Sequence, residues 1–386
     1  MTLATTATHA AAGDVTPVTD VAPIDIYNTA DSVTAPHSFK QRVSDFFSGK
    51  SAREGIVPRP GFSIIGGPHY DTESKLGLGI VASSQFRLHG CDSAMQLSNI
   101  SMTADVSTAG FVSLGAKGHI FFPRDDKRLL ADMQFAYSPT YFWGIGYDNG
   151  NDDDNETKMR KIMVKVRADF LWRLAPGLYA GPLAQWQYTH SREIDRPDLL
   201  EGQDRTVKNL GVGFTVDYDT RDYITSATRG VYVHYSQLFC PIFLWNTYHY
   251  TMTDLRLSYY HKAWKGAVIA GEARLLMNFG KPSWATMALL GDQYSMRGYY
   301  PARYRDKHLT AAQVEIRQHI YGPIGAVVWG GAGTVFHDSD TFKSGWLPNY
   351  GLGLRWAFRP HVNIRLDYGF GKKGQNGFMF AINEAF

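Results

Sequence analysis

No stretch of this chain approaches the roughly 20 apolar residues that a helix needs to cross a bilayer, although 44% of its 386 residues are hydrophobic. A helical membrane protein is therefore excluded. Cysteine is almost missing, with only Cys91 and Cys240, so no disulfide framework is expected. An excess of one charge is missing too. Lys and Arg number 39 and Asp and Glu 36, a net charge of +3, too small to point to nucleic acid. The 13 histidines include no HExxH pair, and His190 stands alone at the end of a strand-like run, so no metal ligand set can be read. There is no G-x-S-x-G elbow, and no Ser/His pair at the spacing an outer-membrane phospholipase would suggest. The acidic run 151–156 (NDDDNE) lacks EF-hand spacing and reads as a solvated loop. Gly77 and Gly79 in KLGLGI sit in a strand-like run with no helix after them, so they form no phosphate cradle. These absences argue against an enzyme and call for no metal and no cofactor.

What is abundant points elsewhere. Glycine numbers 38, and 22 Tyr, 22 Phe and 9 Trp bring aromatics to 14%, as tight turns and aromatic girdles would require. The last 26 residues are the most telling. In HVNIRLDYGF, Val362, Ile364, Leu366, Tyr368 and Phe370 alternate with His361, Asn363, Arg365, Asp367 and Gly369. In the final run Phe378, Phe380, Ile382 and Phe386 alternate with small or polar residues. Successive strand side chains point to opposite faces, so this is strand periodicity with one charged face and one apolar face. The chain is expected to end inside a strand, on an aromatic. Interior runs repeat the pattern: Lys165, Arg167 and Asp169 oppose Val164, Val166 and Phe170, and Gln313, Glu315 and Arg317 oppose Val314 and Ile316. An Arg or Lys on the lipid face at midplane costs about 2–4 kcal/mol, so the charges belong in a lumen.

Strand-like runs start near 61, 75, 95, 109, 127, 159, 177, 206, 229, 246, 265, 308, 324, 345, 361 and 376, sixteen in all. The expected fold is all-β: a 16-stranded antiparallel transmembrane β-barrel over residues 58–386. An even count puts both termini on the periplasmic side. The connections alternate accordingly, short at 175–177, 321–323 and 359–360, long and polar at 146–158, 191–205 and 281–307. Cys91 and Cys240 then fall at opposite ends of the barrel. Residues 1–57 read as a linker and a short amphipathic helix, with Ser38 as N-cap, Gly49 as stop and Phe39, Val43, Phe46 and Phe47 on one face. The Ala-rich stretch 1–12 resembles only the end of a signal peptide, so a start site placed late or a trimmed N-terminus is expected.

The longest connection reads LLGDQYSMRGYYPARYRDKH and lies between the eleventh and twelfth runs. It carries Met296-Arg297-Gly298-Tyr299 and is followed by AAQVEIRQHI and GAVVWGGAGTVF. Earlier, VDYDTRDYITSATRG carries Asp219, Arg221, Asp222 and Gly230 in a D-x-R-D…G pattern. With the terminal strand ending on Phe386, these segments resemble the BamA/TamA-like bacterial surface antigen family of outer-membrane assembly and translocation barrels, marked by V/I-R-G-F/Y in the sixth extracellular loop. The first motif position is Met296 here. The resemblance spans roughly 58–386. It implies a sixth loop folded back into the lumen, with Arg297 docked on acidic lumen residues beside Gly298 and Tyr299. Glu315 matches one family partner position. The acidic residue usual in the next strand is replaced by Gly331, and Asp367 is the candidate substitute. Phe378, Phe380 and Phe386 look like the C-terminal signal read by assembly machinery. The POTRA domains of well-understood members do not fit in about 60 residues, so that part is expected to be missing or supplied by another chain.

The leading expectation is a non-enzymatic barrel in the bacterial outer membrane, aiding protein or lipid biogenesis through a seam between its first and last strands. The first strand, near 62–67, contains Gly66 and Gly67 and is expected to be cut off by Pro68, because glycine weakens a strand and proline removes a ladder donor. The expected partners are outer-membrane lipids, client outer-membrane proteins or a separate periplasmic subunit, and no nucleic acid. The alternatives are a passive or gated pore, or a scaffold subunit of a larger complex.

Overall fold

The computed structural model describes residues 63–71, 75–91, 95–359 and 361–386. The helix expected over 38–49 lies outside them. Eighteen strands follow in chain order: β1 Ser63–Asp71, β2 Lys75–Phe86, β3 Ser98–Ser107, β4 Val112–Phe121, β5 Lys127–Phe142, β6 Thr157–Ala175, β7 Leu178–Ile194, β8 Thr206–Asp219, β9 Gly230–Cys240, β10 Tyr250–Lys262, β11 Ala267–Gly280, β12 Ala288–Leu290, β13 Tyr304–Asp306, β14 His308–Tyr321, β15 Ile324–Phe336, β16 Leu347–Arg359, β17 Val362–Phe370 and β18 Asn376–Ile382. Sixteen form one sheet in which sequence neighbours pair antiparallel, while β12 and β13 pair separately inside the connection from β11 to β14. The expected starts agree closely; the largest difference is four residues, 246 against Tyr250 of β10.

The period-2 pattern sorts the two faces as the sequence requires. Val314, Leu352, Leu354 and Phe378 are each more than half exposed on the outside, whereas Glu315 and Arg365 are 0% exposed on the inside. An apolar outer face and a charged inner face suit a bilayer around the sheet and polar contents within it. The sheet curls round a shared interior. Tyr294, in the β11–β14 loop, has Lys117 of β4 at 5.1 Å on its ring and Arg365 of β17 at 5.8 Å. No helix among the described residues is long and apolar enough to cross a membrane; the strands do so.

Two expectations at the ends of the sheet are corrected. Pro68 does not end β1. The strand continues to Asp71, with Pro68 opposite Leu78, because β1 pairs on one side only and an edge strand tolerates a missing donor. Nor does the chain end inside a strand. β18 stops at Ile382, and Asn383 takes a left-handed φ of 69°. Its N–H donates to the Asn363 carbonyl at 2.7 Å, and residues 384–386 turn inward. Phe386 therefore lines the interior and not the wall. Among the described residues no ladder joins β1 to β18. Cys91, in the β2–β3 turn, and Cys240, at the far end of β9, are both free.

Candidate functional site: the docked sixth loop

The β11–β14 loop, residues 281–307, is fixed to the barrel by two apolar clusters. Trp284 packs with Phe142, Met159, Leu199, Leu200 and Val207. Further along, Leu290, Met296, Tyr299 and Tyr304 pack with Leu309, Val335 and Leu347. Arg305 ties the two arms of the loop together, donating to the Trp284 and Ala302 carbonyls at 3.0 Å each. Tyr299 Oη donates to the Pro348 carbonyl at 2.5 Å and accepts from the Lys372 N–H at 2.8 Å.

This framing carries Arg297 to the barrel wall, where it is 0% exposed. One Nη donates to Glu315 Oε2 of β14 at 2.6 Å, and the other to Asp367 Oδ2 of β17 at 2.7 Å. The guanidinium lies 3.7 Å from the centroid of the Trp329 ring, a cation–π contact that suits its flat face. The Asn349 side-chain amide donates to the Arg297 carbonyl. Gly298 makes the approach possible. Its φ is 100°, and a Cβ there would collide with the Gly369 backbone. The structure thus brings Arg297, Gly298, Tyr299, Glu315 and Asp367 together. Gly331 explains the absence of an acid on β15: a Cβ there would strike the Ala312 carbonyl, so no carboxylate fits, and the second one comes from β17.

Three further residues extend the site. Glu315 Oε1 accepts from Arg317 Nε at 2.6 Å. Asp367 Oδ1 accepts from Arg355 Nη1 at 2.5 Å, and Arg355 Nε donates to Glu384 Oε2 at 2.7 Å. Arg317 Nε lies 3.7 Å from the same Glu384 oxygen. The result is a closed ring of alternating charge: Arg297, Glu315, Arg317, Glu384, Arg355, Asp367. All six side chains are nine-tenths buried or more. Each carboxylate meets at least two cations, as buried charges require. Sequence parity shows Arg355 facing the lumen between Leu354 and Trp356. Glu384 gives no such signal, because it lies beyond the last strand.

The other motif builds a different structure at the short-turn end. Asp219 accepts both Nε and Nη2 of Arg221 at 2.9 Å, a bidentate pair, and Arg128 of β5 lies 3.5 Å away. Arg221 also stacks on Tyr232 at 3.9 Å. In the β8–β9 turn Asp222 accepts from the N–H groups of Tyr223 and Thr228 at 3.0 and 2.8 Å. Burial pushes its carboxyl pKa up, but bonds from the Thr228 hydroxyl and nearby N–H groups outweigh this and hold it below the usual range. Gly230 closes the turn at φ 112°, where a Cβ would meet the Thr220 carbonyl. On β1, Gly66 and Gly67 pair with Ile80 and Gly79. Phe378 and Phe380 face outward from β18. Neither pair touches the ring.

A family model for the Omp85 superfamily domain matches residues 122–386. The chain belongs to the Omp85 superfamily. Solved relatives share its fold at low identity. BamA from Haemophilus ducreyi, lacking POTRA domains 1–3, is 12% identical with a TM-score of 0.54, over 84% of this chain and 70% of that one. CdiB from Escherichia coli is 11% identical with a TM-score of 0.56, over 85% and 63%. CdiB from Acinetobacter baumannii is 10% identical with a TM-score of 0.54, over 83% and 59%. The chain thus spans about three fifths of either CdiB. No curated protein matches it significantly in sequence. The protein is an Omp85-family barrel of the bacterial outer membrane.

Proposed function

We propose that this barrel inserts or translocates other outer-membrane components, protein or lipid, through a seam between β1 and β18, with the docked sixth loop holding the neighbouring wall in shape. The observation that carries the reading is the tip of that loop. Arg297 is fully buried, between Glu315 and Asp367 on the strands that lead to the seam. A loop that merely narrowed a pore would not need its tip bound into the wall near the closing strands. The short-turn rim faces the periplasm in this reading. The partners in this reading are the surrounding outer-membrane lipids and client outer-membrane proteins or a separate periplasmic subunit, and no residue is assigned a catalytic step.

The test is a cysteine pair across β1 and β18 in a chain with Cys91→Ser and Cys240→Ser. Reconstituted in lipid vesicles, the oxidised protein should stop accelerating insertion of a second barrel, and reduction should restore it. Undiminished activity with the seam locked would end the seam proposal.

A passive pore has one observation in its favour. The β4–β5 wall carries Lys117 and Asp132 at 3.7 Å with side chains 44% and 28% exposed, a hydrated pair suited to lining a channel. A large, steady, ion-selective conductance in planar bilayers would favour the pore.

A further inference from the structure

The segment after β18 is held by the same ring that docks the sixth loop. Glu384 Oε2 accepts from Arg355 at 2.7 Å, and its Oε1 accepts from the Asn363 amide at 2.7 Å. The Glu384 N–H donates to the Thr225 carbonyl at 3.1 Å, in the β8–β9 turn. Two residues later, Phe386 packs beside Ala227, Tyr260 and Ala270, with its ring 6.3 Å from that of Tyr260. Arg317 joins the pieces. It donates to the Phe386 carbonyl at 2.8 Å and to the Ala227 carbonyl at 3.2 Å, while its Nε serves Glu315. An anionic side chain and an aromatic ring two residues apart thus fill a receptor made by Arg355, Asn363, Arg317, Tyr260 and Ala227.

We propose that residues 383–386 are an intramolecular latch that seats the β8–β9 turn across the short-turn mouth of the lumen, and that the latch and the sixth loop hold or release together. The coupling has two routes. One runs from Arg297 through Glu315 to Arg317, and the other from Arg297 through Asp367 and Arg355 to Glu384. Each carboxylate is shared between cations serving different segments. Removing Arg297 leaves Glu315 with Arg317, and Asp367 with Arg355 at 2.5 Å and the more distant Arg365 at 3.5 Å, so both carboxylates then draw chiefly on Arg317 and Arg355, the cations that hold the tail. A buried ion left without its partner is costly, so the network favours two states, fully closed or released. This inference rests on the proposed role of loop docking, but its readout does not need insertion activity.

The full chain in lipid vesicles, with Cys91→Ser and Cys240→Ser, takes one reporter, Ala385→Cys. Ala385 is 4% exposed. A charged maleimide should react with the reporter slowly in this background. Arg355→Gln, which removes the Glu384 anchor, should speed the reaction by about tenfold or more, because labelling follows the open population. Arg297→Lys, which alters only the loop end of the ring, should also speed it. Heat-modifiable migration in gels confirms that each variant has folded. If the reporter in the background reacts as fast as one at exposed Lys343, there is no latch. If Arg355→Gln accelerates labelling and Arg297→Lys does not, the coupling is wrong. Labelling that accelerates as expected, together with undiminished insertion when the β1–β18 seam is locked, would bear on the proposed function alone.

Discussion

Two stretches of the lumen wall share one binary pattern and differ in almost everything that follows from it. On β14–β17 the inward carboxylates Glu315 and Asp367 meet Arg297 at 2.6 and 2.7 Å, with every partner 0% exposed. On β4 and β5, Lys117 and Asp132 stand 3.7 Å apart, and the lysine side chain is 44% exposed. Alternation placed both pairs inside; the sixth loop decided their energetics. Its Arg297 tip is bound between β14 and β17 with no exposure to water, so those charges must satisfy one another. Charges that keep their water interact weakly and can be altered cheaply. The stretch of wall that leads to the last strand is thus set by buried ions tied to the loop, while the Lys117–Asp132 stretch keeps its water.

The comparison fails first if the buried stretch is not fragile. Arg297→Ala leaves two buried carboxylates short of a partner, and it should cost about 3–5 kcal/mol of stability in urea unfolding from vesicles. Next comes Gly298→Ala. It forces a side chain against the Gly369 backbone at φ 100° and should cost about 1–3 kcal/mol, with the loop tip more readily cleaved by protease. A smaller effect is expected where the loop meets the 337–344 segment. There His337 Nδ1 contacts Asp306 Oδ2 at 2.9 Å, and Nε2 lies 3.2 Å from Asp338. The hydrogen bond to Asp306, aided by both acidic charges, holds the imidazole pKa above its usual value despite some burial. A raised folded pKa means that the contact contributes fully below the unfolded value of about 6.5 and is lost as pH rises through the folded one. Amide exchange in 337–344 should therefore be slower at acidic pH than at alkaline pH, after correction for intrinsic rates, and His337→Gln should remove the difference. Smallest of all, Lys117→Ala should change stability by less than about 1 kcal/mol. A large loss there would contradict the reading of Lys117 and Asp132 as a hydrated, weakly coupled pair.

The wall was legible in the sequence because a period of two survives any curvature of the sheet. The same parity puts Asp367 and Arg365 inside and makes Asp367 a candidate anchor from the sequence alone. What parity cannot see is residues outside strands. Glu384 completes the ion ring from a segment that leaves β18 at Asn383, and no periodicity extends to it. Pro68 stays within β1 for a related reason: a local rule about ladder donors depends on whether the strand is an edge, which is a property of the whole sheet. Gly331 looked like a missing anchor and is a steric requirement of the β14–β15 contact. In each case the sequence carried the residue type, and the fold decided its role.

The central claim is that Arg297 and Glu315 act as one buried unit. It is tested most directly by urea unfolding of Arg297→Ala, Glu315→Ala and the double variant in vesicles. The structure predicts strong non-additivity, with the double variant close to the worse single variant. A double variant that loses the sum of the two single losses would show that the residues do not interact, and would contradict the account.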